Sequence, residues 1–340
     1  MNSINVKGEP SRRQALRAVG TLTAALVAPR LALAQAAAAS DRYPVRPIRL
    51  VVPFAAGGST DVVARIVAAG MSKVLGQQMV VDNKPGAGGS IGSAEVAKSA
   101  PDGYTILAAT VSTHAINPSL YTKLAFDAAK DFQPLVHLVN IPNVLVVHPS
   151  VPVKTVSDLR DYAKANPDKL NYASPGNGSI GHLQAHWFGR LINAEMTHIP
   201  YRGAGPALND LVAGQVQLMV DNVPTSLGHI RAGAIRAIVV SSETRIPQLP
   251  DAPSSPEAGI PDFIGYSWVA LLMPKGTLRL VVDTLSQAAV KALETPQVRE
   301  RLTELSATVV AAGPETTAAF LENERAKWAP IVKVSGVTLD

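Results

Sequence analysis

The chain of 340 residues contains no cysteine. That excludes disulfides, thiolate metal sites, a cysteine nucleophile and a lipid-modified N-terminal cysteine. Aromatic residues are few, at 5%, which slightly disfavours a ligand held by ring stacking; Phe54 or Trp268 in a pocket would reverse that balance. A membrane-spanning run is missing near the N-terminus, where AVGTLTAALVA has 11 residues and a span needs about 20. A surplus of one charge is missing as well. Five of the 31 basic and one of the 26 acidic residues lie in residues 1–34, so the rest of the chain carries 26 basic and 25 acidic groups. A basic nucleic-acid surface is not indicated.

What is present begins with an export signal over residues 1–34. Lys7, Arg12, Arg13 and Arg17 precede the apolar run, and Ala32-Leu33-Ala34 supplies a small-x-small cleavage site. Ser11-Arg12-Arg13-Gln14-Ala15-Leu16-Arg17 resembles a twin-arginine motif, with Ala15 where an aromatic is usual. Arg30 also fits that route, and general secretion stays open. A signal without a lipid anchor points to the periplasm of a double-membraned bacterium.

Beyond the leader, strand-like and helix-like segments alternate, which predicts largely parallel sheets covered by helices. Ile48–Val52 is β-branched; Val62, Val63, Ile66, Val67, Met71, Val74 and Leu75 then recur at helical spacing up to Gly76. Further helices are expected at 157–166, around Leu208–Ala213, at 278–294 and at 314–333. The proline-rich stretch 247–261 reads as a surface connection. The expected architecture is α/β with two lobes: residues 41–146 plus 264–340, and residues 147–263. Two crossings near 144–149 and 264–273 would join them. Ligands of open α/β sheets lie beyond the carboxyl ends of strands.

Two loops stand at such ends. In VVPFAAGGSTDVVAR, Gly57 and Gly58 permit close backbone approach, and Ser59, Thr60 and Asp61 can cap the next helix. SPGNGSIG, residues 174–181, has the same construction. Each reads equally as a plain helix N-terminus or as an anion site. PGAGGSIG fails as a dinucleotide fingerprint, because Ile91 stands where the third glycine belongs. His182 and His186 are four apart, but Leu183 replaces the glutamate of a zinc-protease motif, and with Arg190 they read as a solvated polar stripe. No nucleophile elbow, phosphate-binding loop with lysine or calcium loop occurs. Neither a catalytic set, a metal site nor a cofactor is therefore expected.

The motifs YPVRPIRLVVPFAAGGSTDVVAR, VVDNKPGAGGSIG, SAPDGYTIL, HAINPSLY, LNYASPGNGSIGHL, IPYRGAGPALNDLVAGQVQLMVDN and LPDAPSSPEAGIPDF resemble the Bug-type solute receptors of tripartite tricarboxylate transporters. The resemblance covers residues 41–340 in order. It departs at PSSPEAG, usually PTxxEAG, and at MPKGTLR, usually APxGTP. Both lie away from the glycine loops and bear on docking surfaces instead.

The resemblance implies a two-lobed, type II-like periplasmic receptor, a non-enzyme that closes around a small organic acid. Its partners would be that ligand and the integral membrane subunits of the transporter, with a monomer as the default. Backbone N–H groups, hydroxyls and waters hold the carboxylate in this family. By position, Phe54, Ala55, Gly58, Ser59, Thr60 and Asp61 would form the first wall. Asp61 would act through its capping position or by accepting from ligand or water. Thr110, Ser112 and Thr113 would add hydroxyls, and the loop TVSTHAIN would tune ligand choice. Ser174, Gly176, Asn177, Gly178 and Ser179 would close from the second lobe, with Gly203, Ala204 and Asp221 nearby. Asp221 also reads as a plain turn residue. Di- and tricarboxylates, aromatic acids and acidic amino acids all suit such a pocket. A sensor docking on a signalling kinase and an exported enzyme remain the alternatives.

Overall fold

The computed structural model describes residues 43–340, of which Arg46–Asp340 form one compact unit and 43–45 belong to a separate N-terminal one. The export signal lies outside the described residues. No helix among them is long and apolar enough to cross a membrane.

The first strand–helix unit follows directly from the side-chain pattern. β1 (Ile48–Val52) buries Ile48, Leu50, Val51 and Val52. α1 (Ser59–Leu75) turns Val63, Ala64, Ile66, Val67 and Met71 to the core, and left-handed Gly76 ends it by donating its N–H to Ser72 O at 3.1 Å. β2 (Met79–Asn83) and β3 (Thr105–Thr110) flank β1 in parallel, with α2 (Ser90–Ala97) between them. After β3 come a wide turn at Ser112–Ile116 and the short α3 (Asn117–Leu120).

β4 (Phe132–Val147) ties the molecule together. Its Phe132–Pro142 part runs antiparallel to β9 (Tyr266–Pro274), and its Asn143–Val147 part runs antiparallel to β7 (Leu218–Asn222) and β8 (Arg236–Val240). The partners change at Pro142–Asn143. Beyond β7 lie β5 (Asn171–Ser174) and β6 (Thr197–Pro200), parallel to one another, with β5 parallel to β7. The order is β2-β1-β3-β9-β4-β7-β5-β6, with β8 and β10 (Thr308–Ala312) also on β4. Parallel pairing therefore holds in the two outer groups, and the crossing strands run against it.

In its second part, β4 buries Val144 and Val146 in one cluster with Ala207, Leu211 and Met219, and Leu145 and Val147 in another with Phe188, Leu218 and Phe263. This strand is apolar on both faces because helices cover both. They are α4 (Val156–Ala165) and α5 (Ile180–Ile192) on one side, and α6 (Ala204–Val212) and α7 (Val223–Arg231) on the other. The first group of strands has its own core around Val51, Leu107, Ile116, Trp268, Leu272 and Trp328, reached by α10 (Pro314–Ser335) after α8 (Arg279–Glu294) and α9 (Pro296–Glu304). Trp268 is buried there, its indole N–H donating to Glu324 Oε2 at 2.8 Å.

Four elements were not expected: α3, α7, α9 and β10. All three helices carry proline in the first turn, a start signal; α7 follows directly on strand β7 and α9 directly on the end of α8, which mask it. The stretch 247–261 is not simply a surface connection. It buries Leu249, Ala252 and Ile260, and Pro253 O accepts from Val240 N at 2.9 Å, so it covers the β8 edge.

Candidate functional site

The loop between β1 and α1 is built around one carboxylate. Asp61, in the first turn of α1, is 3% exposed. Its Oδ2 accepts from Gly57 N and from Arg65 Nε, both at 2.9 Å, and its Oδ1 accepts from Asn83 Nδ2 at 2.9 Å. Asn83 Nδ2 also donates to Phe54 O at 3.0 Å. Burial opposes ionisation of Asp61, yet the Arg65 guanidinium, the Gly57 N–H and the Asn83 amide together hold its pKa below the usual range. The acid thus braces the loop from within. Gly57, at φ 84°, makes the turn that brings its N–H back to Asp61. Ala55 and Gly58 are exposed, Phe54, Ser59 and Thr60 half-buried.

Behind this loop sit the residues at the end of β3. Thr113 is fully buried, accepts from Thr110 N at 3.0 Å and lies 3.1 Å from Thr110 O and 2.9 Å from His114 Nδ1. Its hydroxyl is spent on the turn. A Cβ on Gly89 would meet Thr113 Cγ2 at 2.5 Å and Phe54 Cζ at 3.1 Å, so the loop of PGAGGSIG packs onto both. Thr110 Oγ1 is buried with no protein partner, and half-buried Ser112 opens the wide turn. His114 lies between Phe126 and Phe132, and burial lowers its pKa to about 3.

The second glycine loop follows β5. Ser174 Oγ lies 2.6 Å from His198 Nε2 and accepts from Gly176 N at 3.2 Å. Ser179 caps α5, accepting from His182 N and donating to Gly176 O at 2.8 Å. Gly178 N donates to His182 Nδ1 at 3.1 Å, and the His182 and His198 rings stack at 3.7 Å. His182 is 3% exposed, not part of a solvated stripe: burial and the neighbouring imidazoles lower its pKa to about 3. The helix lies between two cores, so its polar face meets β6 instead of water. Gly203 N donates to Pro175 O at 3.1 Å and sets Ala204 at the start of α6. Asn177 is exposed at the loop tip.

Asp221, at the end of β7, is buried, and Thr225 Oγ1 and Ser226 Oγ (2.8 Å) both donate to its Oδ2. Burial raises its pKa. It ties down the first turn of α7. The neighbouring Asn222, absent from the sequence-derived set, makes the direct link between the two groups of strands. Its Nδ2 donates to Ser59 Oγ at 3.0 Å. Leu120 also crosses: its Cδ2 lies 2.0 Å from where a Cβ on Gly178 would stand. The N-termini of α1 and α7 thus meet at Ser59 and Asn222, and α3 touches the loop that opens α5. Exposed N–H groups in first helical turns carry partial positive charge. Asn83 and Asn222 were both legible in VVDN and MVDN, but only as strand ends.

This arrangement defines an α/β protein of the periplasmic binding-protein kind, with its two groups of strands in contact at Ser59 and Asn222 and at Leu120 and Gly178. Residues 63–337 match the tripartite tricarboxylate transporter family receptor, and the chain belongs to that family. BugT of Bordetella pertussis is 38% identical over 88% of this chain and 92% of its own length. Among solved structures, MatC from Rhodopseudomonas palustris with bound malate is 38% identical, with a TM-score of 0.79 over 85% of this chain and 100% of that one. R. palustris Rpa4515 with adipate is 37% identical, with a TM-score of 0.82 over 87% and 99%.

Proposed function

We propose that this protein is an exported, periplasmic receptor that captures a small organic acid between two lobes and delivers it to the integral membrane subunits of a tripartite tricarboxylate transporter. The observation that carries the reading is the meeting of the α1 and α7 N-termini at Ser59 and Asn222, where N–H groups and hydroxyls offer donors to a carboxylate. In this reading residues 41–146 plus 264–340 make one lobe and 147–263 the other, and the hinge lies where β4 changes partners at Pro142–Asn143. Malate in MatC and adipate in Rpa4515 support a linear dicarboxylate as the first class to try.

In this reading Ser59, Thr60, Thr110, Ser112 and Asn177 face the acid, together with the backbone at Ala55, Gly58, Gly176, Gly203 and Ala204. Phe54 forms an apolar wall. Asp61, Thr113, Ser174, Gly178, Ser179 and Asp221 support these groups from behind. Thr110 Oγ1, buried without a protein partner, gains one from ligand or ordered water. No step of chemistry is assigned to the chain.

Native mass spectrometry of the protein purified from its periplasmic fraction, followed by denaturation, tests this. A co-purifying acid should be released unchanged and should raise Tm when returned in excess, by about 2.7 kcal/mol of stabilisation at 100 times its Kd. Conversion of the acid with turnover, or no shift with any di- or tricarboxylate, would overturn the receptor reading.

A further inference from the structure

Asparagine is a favoured helix N-cap because its side-chain oxygen accepts from the first turn. Asn222 stands at the N-cap of α7 yet makes no such bond. Its side chain is used elsewhere. Oδ1 accepts from Ser267 Oγ on β9 at 2.6 Å, and Nδ2 donates to Ser59 Oγ at 3.0 Å.

Ser267 is itself set by a buried network. It lies 3.2 Å from Asn143 Oδ1, and Asn143 Nδ2 donates to Gln184 Oε1 at 2.5 Å. Gln184 Nε2 and Ser241 Oγ both donate to Gly265 O, at 3.0 and 2.7 Å. Asn143 follows the point where β4 changes partners, and Gly265 immediately precedes β9. The network therefore occupies the crossing between the two groups of strands. Ser267 has one hydroxyl proton and gives it to the nearer oxygen, that of Asn222. With the amide oriented as in the structure, Oδ1 takes the Ser267 proton and the NH2 faces Ser59. Ser59 Oγ is then an acceptor from Asn222, and its own proton is left to be given outward.

We propose that Asn222 is the positioning residue of the cleft: held by Ser267 at the crossing strands, it orients the Ser59 hydroxyl as a donor to the ligand carboxylate and latches the second lobe to the first-lobe loop. This rests on the carboxylate-receptor reading for the ligand, but the latch exists independently of it. The hydroxyl bond it directs is charge-assisted when the acceptor is a carboxylate, so its loss is felt in affinity before stability.

The test is a double-mutant cycle on the full exported protein, with malate and adipate as probes in titration calorimetry. Asn222→Ala and Ser59→Ala should each weaken binding about tenfold, with Ser267→Ala weaker in effect but in the same direction. The double variant Asn222→Ala/Ser59→Ala should bind no worse than the poorer single one, because both remove one relay. Losses that multiply, or an unchanged Kd for Asn222→Ala, would overturn the proposal. Because the chain has no cysteine, spin labels placed by Lys164→Cys and Lys291→Cys report the separation of the two groups of strands without background. Asn222→Ala should move that distance distribution to longer values even with no acid added, and an unmoved distribution refutes the latch. If the wild type binds none of the probes, the carboxylate reading fails by itself and the label distances still judge Asn222.

Discussion

At the scale of single residues, the opening loop separates groups that face outward from groups that brace. A Cβ at Gly58 would meet only Ala55 O, at 3.6 Å, and the residue sits at φ −73°. Gly58→Val should therefore fold, with Tm changed by no more than about 4 °C, while the added side chain blocks backbone approach and weakens acid binding more than about tenfold. Unchanged affinity in calorimetry would remove the loop from the site. Asp61 is the opposite case. Asp61→Asn puts an NH2 group among three donors, from Gly57, Arg65 and Asn83, and should cost about 1–3 kcal/mol in urea unfolding at pH 7. The folded pKa of Asp61 is lowered, so its contribution is fully present above the unfolded value of about 3.9 and is lost as pH falls through the folded one. The gap between wild type and variant should hold above about pH 5 and shrink as pH falls below the unfolded value of about 3.9; a constant gap would show that charge plays no part. The motif marks Asp61, but its three donors come from positions 57, 65 and 83, and only the last lies on a strand, β2.

At the scale of elements, the two glycine loops look alike in sequence and are built differently. Gly178 has φ 71° and packs against Leu120 of α3, so Gly178→Ala meets both backbone strain and a hard contact. A loss of about 2–3 kcal/mol is expected in thermal or urea unfolding, whereas an unchanged midpoint would show that α3 moves aside freely. Periodicity located α1, α4, α8 and α10 within a residue or two, because each turns an apolar stripe to the core. It missed α7, whose mixed VPTSLGHIR shows no clean stripe, and with it the setting of Asn222.

At the scale of the whole molecule, four histidines are held neutral inside the fold. Burial brings His114 and His182 to about 3 and His137 and His198 to about 4, against about 6.5 unfolded. Between these limits the unfolded chain binds more protons, so stability is full above pH 6.5 and falls as pH drops toward the folded values. Tm should decline steadily from pH 7 to pH 4.5, and a flat profile would mean that the imidazoles take up protons without unfolding. Local sequence does not reveal this. His182 and His198 lie on different elements, and only the packing of α5 over β6 stacks them at 3.7 Å.

The sequence by itself determined the α/β class, the positions of most strands and helices, the absence of thiol chemistry and the motifs that place the chain in its receptor family, because each is written in local spacing or residue type. Tertiary structure alone decided what the site residues do. Asp61 and Thr113 became braces and His182 a buried partner of His198, while Asn222, unmarked in sequence, reached Ser59 across the molecule. Hydrogen-bond partners far apart in the chain are set by how β4 and β9 bring the two groups of strands together, and no local pattern encodes that distance.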